Sequence, residues 1–162
     1  MPKIEIERKF LLKSLPVISP DESIKIDQFY LKNSKGIWER VRKWEVGGDI
    51  KYIHTIKKSI SKLENIEDET EVSEDFYLLF KSKCESSKDS RFIKKTRHIF
   101  PHGELIWEID EFHNDYKLII GEIEIPKKDY KLQIPKYIKD LVLLEVSGMS
   151  QFSNRNLSLS IN

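Results

Sequence analysis

Along most of this chain apolar and polar residues alternate with a period of two, the spacing of a half-buried β-strand rather than the 3.6-residue spacing of a helix. The alternation predicts strands over about 3–12, 26–31, 37–45, 51–58, 66–72, 91–100, 104–112 and 118–125. Gly47-Gly48-Asp49 and Pro101-His102-Gly103 each fall between two strand patterns, where hairpin loops belong. Helical patterning is sparse. Ser73-Glu74-Asp75 supplies an N-cap followed by acids, and Phe76, Leu79, Phe80 and Lys83 recur at helical spacing, which predicts a helix of three turns. Pro126-Lys127-Lys128-Asp129 predicts the start of a second helix, interrupted by Pro135, and Tyr137–Leu141 a further short turn. The Ser/Asn-rich stretch from 148 to 161 reads as a docked tail. The expected fold class is mainly antiparallel β (α+β) with peripheral helices, in a single domain over 1–162. Eight such strands either close into a barrel or pack as two sheets.

Strand parity sorts the charges. Glu5, Glu7 and Lys9 share one face of the first strand, opposite Ile4, Ile6 and Phe10. The same parity groups Arg40 with Arg42, Glu69 with Glu71, Lys95 with Arg97, Glu108 with Asp110, and Glu122 with Glu124, while Lys57 closes the fourth strand. The plain reading of such a face is the solvated outside of a β-sandwich. Two features point instead to a barrel with a wet, charged lumen. Pairs of one sign recur at i, i+2, where they repel unless a counter-charge or ligand lies between them, and the opposite face of several strands is apolar.

The composition narrows the classes. Lys and Arg number 28 against 27 Asp and Glu, so the net charge is +1 although 34% of residues are charged. A duplex nucleic-acid binder would show a basic excess. No apolar run reaches the ~18–20 residues of a membrane-spanning helix. Met1-Pro2-Lys3-Ile4-Glu5-Ile6-Glu7-Arg8 has no apolar core of a secretory signal. The single Cys84 allows neither an internal disulfide nor a cysteine metal site, and reads as a packing residue on the helix. A cytoplasmic location is the expectation.

A lumen with basic and acidic groups suits a polyanion together with a divalent cation. Lys and Arg bind phosphate oxygens, and carboxylates hold Mg²⁺ or Mn²⁺. Phosphate-binding loops, dinucleotide fingerprints, zincin helices and hydrolase elbows are all missing from the sequence. His98 and His102 are four apart but flank a hairpin, not a helical metal pair. Tyr30 and Trp38 could line a lumen, although Trp38 reads first as an ordinary core aromatic.

Glu5-Ile6-Glu7-Arg8-Lys9 resembles the E-x-E-x-K opening of CYTH domains, the triphosphate tunnel metalloenzyme superfamily, especially its short bacterial-type inorganic triphosphatases. The resemblance continues in order through Arg40/Arg42, Lys57, Glu69/Glu71, Lys95/Arg97, Glu108/Asp110 and Glu122/Glu124. It implies an eight-stranded closed β-barrel, a tunnel for tripolyphosphate or another triphosphate-containing small molecule. It also implies Mg²⁺ or Mn²⁺ held by Glu5, Glu7 and Glu124, with Glu122 and Asp110 nearby. Lys9, Arg40, Arg42, Lys57, Lys95, Arg97 and Tyr30 would bind phosphate. Lys9, Lys57 and Lys95, with Glu69 and Glu71 orienting basic groups or a second metal and its water, would serve catalysis. The implied activity is hydrolysis of tripolyphosphate. Adenylyl cyclisation, hydrolysis of an organic triphosphate and non-catalytic polyphosphate binding are the alternatives, and a homodimer is left open. Glu145–Asn154 resembles the family's ending, with Met149, Gln151 and Phe152 replacing its usual acid, Arg and Tyr.

Overall fold

The structure, a computed structural model, describes residues 2–113 and 117–160. Eight antiparallel strands form the wall: β1 (Lys3–Leu12), β2 (Glu22–Lys32), β3 (Trp38–Val46), β4 (Asp49–Ser59), β5 (Glu64–Val72), β6 (Ser90–His102), β7 (Leu105–Phe112) and β8 (Ile119–Glu124). Around the wall their order is β6-β2-β3-β4-β5-β1-β8-β7, and β7 pairs back onto β6, so the sheet closes. All eight strands read from the alternation are present, and the charged face is the inside of a barrel, not the outside of a sandwich. Closure removes the two long sheet edges that an open sheet would expose.

Local chemistry explains the connections. Gly47 and Gly48 have φ of 55° and 89°, the left-handed pair that a two-residue hairpin between β3 and β4 requires. Pro101 and His102 belong to β6, not to the loop expected there. β2 pairs with β6 only as far as Ile99, so the N–H that Pro101 lacks has no strand to meet.

The outer face is covered in two places. Helix α1 (Glu74–Glu85) starts at the expected cap, where the Ser73 hydroxyl accepts from the Phe76 amide at 3.1 Å. Its packing stripe is Tyr77, Phe80 and Cys84, set on Phe29 and Val41, so the stripe is rotated from the expected one and Phe76 and Leu79 stay exposed. Cys84 is a packing residue; burial pushes its thiol up to about 12. The second apolar layer joins Phe10, Leu12, Phe100, Trp107, Ile109, Ile123 and Ile125 with Ile138 of α2 (Lys136–Lys139). The helix expected from Pro126 does not form. After one turn, closed by the Tyr130 amide on the Lys127 carbonyl, Tyr130, Leu132 and Ile134 pack with a period of two against this layer.

The tail is more structured than its composition suggests. Strand β9 (Val142–Glu145) pairs with the end of β1, where the Arg8 guanidinium donates to both Glu145 oxygens at 2.7 and 2.9 Å. A 3₁₀ turn (Ser150–Phe152), α3 (Asn154–Leu157) and β10 (Leu159–Ser160), paired to the start of β6, follow. Phe152 and Leu157 pack against Ile93, Phe112 and Ile120, closing part of one barrel end with an apolar plug. Ile161, the last residue of the expected tail, lies outside the described residues. Among the described residues no helix is long and apolar enough to cross a membrane.

Candidate functional site

Ion pairs that skip a strand prove which way the charged faces point. Lys57 on β4 reaches Glu5 and Glu7 on β1 at 3.1 and 3.7 Å, although β5 lies between them in the wall. Arg40 on β3 approaches Glu67 on β5 at 3.8 Å, and Arg97 on β6 approaches Glu122 on β8 at 3.9 Å. Next-nearest strands in a wall are about 9–10 Å apart, so each pair needs both side chains on one face, which the closed sheet makes the lumen.

Two sides of the lumen hold charges of both signs in close pairs. On one side Asp110, fully buried, accepts from Lys95 at 2.7 Å and from Arg97 through two nitrogens at 2.8 and 2.9 Å. Burial opposes its charge, but the two cations hold its carboxyl below the usual range. One carboxylate cannot satisfy two buried cations equally. Arg97 keeps its proton, whereas burial and the neighbouring Arg97 bring Lys95 down to about 8 despite Asp110. Arg97 also donates to Glu108 at 2.5 Å, and Lys95 to Asn154 of the tail at 2.8 Å.

On the other side Arg42 donates to Glu69 at 2.6 Å, with the Thr55 hydroxyl donating to the same oxygen at 3.2 Å. Glu69 and Glu71 lie toward the opposite barrel end, where with Lys3 and Lys51 they line a cavity of about 300 Å³. The Gln28 amide donates to the Tyr30 hydroxyl at 2.6 Å, leaving that hydroxyl's own proton free for a further acceptor.

The main cavity, about 410 Å³, runs from Glu7 and Lys9 past Tyr30, Arg40 and Lys57 to Trp38, Lys62 and Arg155 beneath the tail. Its lining holds five cations, Lys9, Arg40, Lys57, Lys62 and Arg155, against one carboxylate, Glu7. That imbalance exists only locally, in a chain whose net charge is +1. The Nε atoms of Arg40 and Arg42 are buried with no protein acceptor. Trp38 lines this cavity half-buried, rather than joining a core.

Of the acidic group, Glu7 lines the main cavity, and Glu124 on the neighbouring strand is exposed. Glu7 and Glu124 are direct cross-strand partners, as are Glu108 and Glu122, and like charges so placed repel. Burial, then Glu122, raises the Glu7 carboxyl, and burial raises that of Glu124, with Glu5 and Glu108 adding to it. Burial acts on Glu5 most strongly, but Lys57, a hydrogen bond with Glu67 and Lys3 together lower its carboxyl. The contact of the buried Glu5 Oε2 is the Lys57 ammonium at 3.1 Å. Among the described residues no three Asp, Glu, His or Cys side chains converge closely enough to hold an ion. The chemistry of Glu5, Glu7 and Glu124 nonetheless fits a hard divalent cation: all-oxygen donors that repel one another. Asp110 has both oxygens occupied by Lys95 and Arg97.

Several lumen residues escaped the sequence reading. Glu67, only 5% exposed, stands between Arg40 and Lys57. Burial raises its carboxyl to about 7 even against those two cations, with Glu5 adding to the shift. Its signal was present, since Glu67 shares parity with Glu69 and Glu71. Lys62, Asn154 and Arg155 lie in a loop and a tail, where no periodicity marks a face.

No protein-family model matches the chain, and no curated protein matches it. Solved structures do. Two structures of NE1496, one as an inorganic triphosphatase, align at TM-score 0.60 and 24% identity. They cover 98% of this chain and 99% of theirs in one case, and 96% and 95% in the other. HpAC1 from Hippeastrum, a candidate adenylyl cyclase with a dominant triphosphatase activity, aligns at 0.54 and 15% identity over 76% of this chain and 80% of its own. A candidate adenylate cyclase from Bacillus halodurans aligns at 0.56 and 14% identity, over 79% and 83%. These likenesses show the fold, a closed antiparallel barrel shared with the NE1496 structures over nearly the whole chain.

Proposed function

We propose that the protein is a divalent-metal-dependent triphosphatase that hydrolyses tripolyphosphate to pyrophosphate and phosphate inside the barrel. The observation that carries this reading is the main cavity, with five cations against one carboxylate, Glu7, whose cross-strand partner is Glu124. A similar fold in the inorganic triphosphatase NE1496 supports it.

In this reading Glu5, Glu7 and Glu124 hold Mg²⁺ or Mn²⁺, which when bound supplies charge neutralisation at the terminal phosphoryl group. Lys9, Arg40 and Lys57 bind phosphate oxygens, and the Nε donors of Arg40 and Arg42, without an acceptor in the protein, are offered to an entering anion. Glu122, 3.5 Å from Lys9, and Asp110, on Lys95 and Arg97, keep these cations extended into the lumen before substrate arrives. Glu69 does the same for Arg42. Tyr30 donates its free hydroxyl proton to a phosphate oxygen. Catalysis rests on donors placed in advance around the charge that develops on the transferred phosphoryl group.

The test is a panel of tripolyphosphate, ATP and thiamine triphosphate with Mg²⁺ or Mn²⁺, assayed for phosphate, pyrophosphate and cyclic AMP. Phosphate release from tripolyphosphate should lead the panel and fall at least about a hundredfold in a Glu5→Gln/Glu7→Gln variant. Release that is unchanged in that variant and in EDTA would overturn the reading, and cyclic AMP as main product would replace it with cyclisation.

A further inference from the structure

Of the five cations in the main cavity, three do one job and two are left over. Lys9, Arg40 and Lys57 sit among Glu5, Glu7, Glu67 and Glu122 at 3.1–3.9 Å, the inner set that the triphosphatase reading uses. Lys62 and Arg155 line the outer part of the same cavity, toward the tail, together with hydroxyls of Ser61, Ser150 and Ser153. Lys62 helps hold Glu145 ionised. No described carboxylate pairs with Arg155, whose guanidinium instead lies 5.2 Å from the Trp38 ring centroid.

We infer that this outer part is a distal anion subsite, which takes the fourth and later phosphates of a linear inorganic polyphosphate. The inference rests on the triphosphatase reading for the inner half of the cavity. Trp38 is not a free base-stacking platform, because its ring already carries Arg155 at 5.2 Å and Lys32 at 5.9 Å. A nucleobase would have to displace a cation from that face, whereas a phosphate gains two cations and hydroxyl donors without displacing anything.

Arg155 is also held in place rather than left to wander. It belongs to α3, where the Ser153 hydroxyl accepts from the Asn156 amide at 3.2 Å and Asn154 accepts from the Lys95 ammonium at 2.8 Å. Phe152 and Leu157 fasten the same segment into the apolar plug. A guanidinium on a fastened turn presents its donors at lower entropic cost than one on a free tail.

The experiment compares kcat/KM for tripolyphosphate, tetrapolyphosphate and ATP in the full chain, in Arg155→Ala, in Arg155→Lys and in Lys13→Ala, an exposed lysine outside the cavity. The ratio of tetrapolyphosphate to tripolyphosphate should fall at least about tenfold in Arg155→Ala, recover in part in Arg155→Lys, and stay unchanged in Lys13→Ala. Calorimetry of tetrapolyphosphate and tripolyphosphate binding to the metal-free protein reads the subsite without turnover, with the same Arg155-dependent ratio expected. A chain that turns over no triphosphate yet shows that binding ratio would refute the triphosphatase reading and keep the subsite. Equal losses for both polyphosphates in Arg155→Ala, or tighter binding of ATP than of tetrapolyphosphate, would overturn the subsite.

Discussion

Glu67 shows how one carboxylate can report on the whole lumen. It is buried between two cations and beside Glu5, and its carboxyl titrates at about 7 in the folded protein against an ordinary 4.5. The folded state therefore prefers Glu67 protonated. Its contribution to stability is complete below about pH 4.5 and is lost as pH rises through about 7. Asp110 and Glu122 act in the opposite sense: their carboxyls are lowered, so their contribution is present above the ordinary carboxylate range and is lost as pH falls. In Glu67→Gln the Glu67 dependence should vanish. Compared with wild type, this variant should gain on the order of 2–3 kcal/mol between about pH 4.5 and 7.5, measured by urea unfolding at each pH. Parallel profiles for the two proteins would remove Glu67 from this role.

At the scale of elements, the tail is the piece whose behaviour depends on one close approach. Gly148 has φ of 68°, and a Cβ built there would lie 2.2 Å from Lys62 Cγ and 2.6 Å from the Lys62 carbonyl oxygen. Both the backbone conformation and the space require glycine, and this contact fixes the turn after β9 against the loop between β4 and β5. Gly148→Ala should cost about 1–3 kcal/mol, borne by tail docking rather than by the barrel. The expected readout is faster proteolytic nicking and hydrogen exchange within residues 149–158, with β1 to β8 unchanged. Uniform loss of protection across the barrel would show that the tail and the wall unfold together.

For the whole molecule, closure turns balanced composition into opposed fields. The wall sets Glu7 against Glu124 and Glu108 against Glu122, and places the cation-rich cavity next to them. A folded chain carrying that repulsion should be stabilised by any ion that relieves it. Mg²⁺ or Mn²⁺ at about a hundred times its dissociation constant should add about 2.7 kcal/mol, raising Tm by roughly 5–10 °C. The shift should disappear with EDTA and in Glu7→Gln/Glu124→Gln, which ought to be more stable than wild type in the metal-free state. A melting temperature indifferent to both ions would argue that these carboxylates hold none.

The period-two alternation alone determined eight strands and which residues share each face, because strand geometry sends neighbours to opposite sides whatever the tertiary context. It also set Glu5 with Glu7, Arg40 with Arg42, Lys95 with Arg97 and Glu122 with Glu124 on one face of each strand, while helical spacing after Ser73-Glu74-Asp75 marked the cap. It could not distinguish a sandwich's wet outside from a barrel's inside, since both need the same alternation. The pairing of β7 with β6 made that choice. Tertiary structure alone decided that Asp110 is enclosed by two cations, that Tyr130–Ile134 packs extended where a helix was expected, and that Lys62, Arg155 and Trp38 line one cavity. The physical reason is range: alternation is local and is read between neighbours, whereas a pocket joins residues such as Trp38 and Arg155 that only the closed chain brings together.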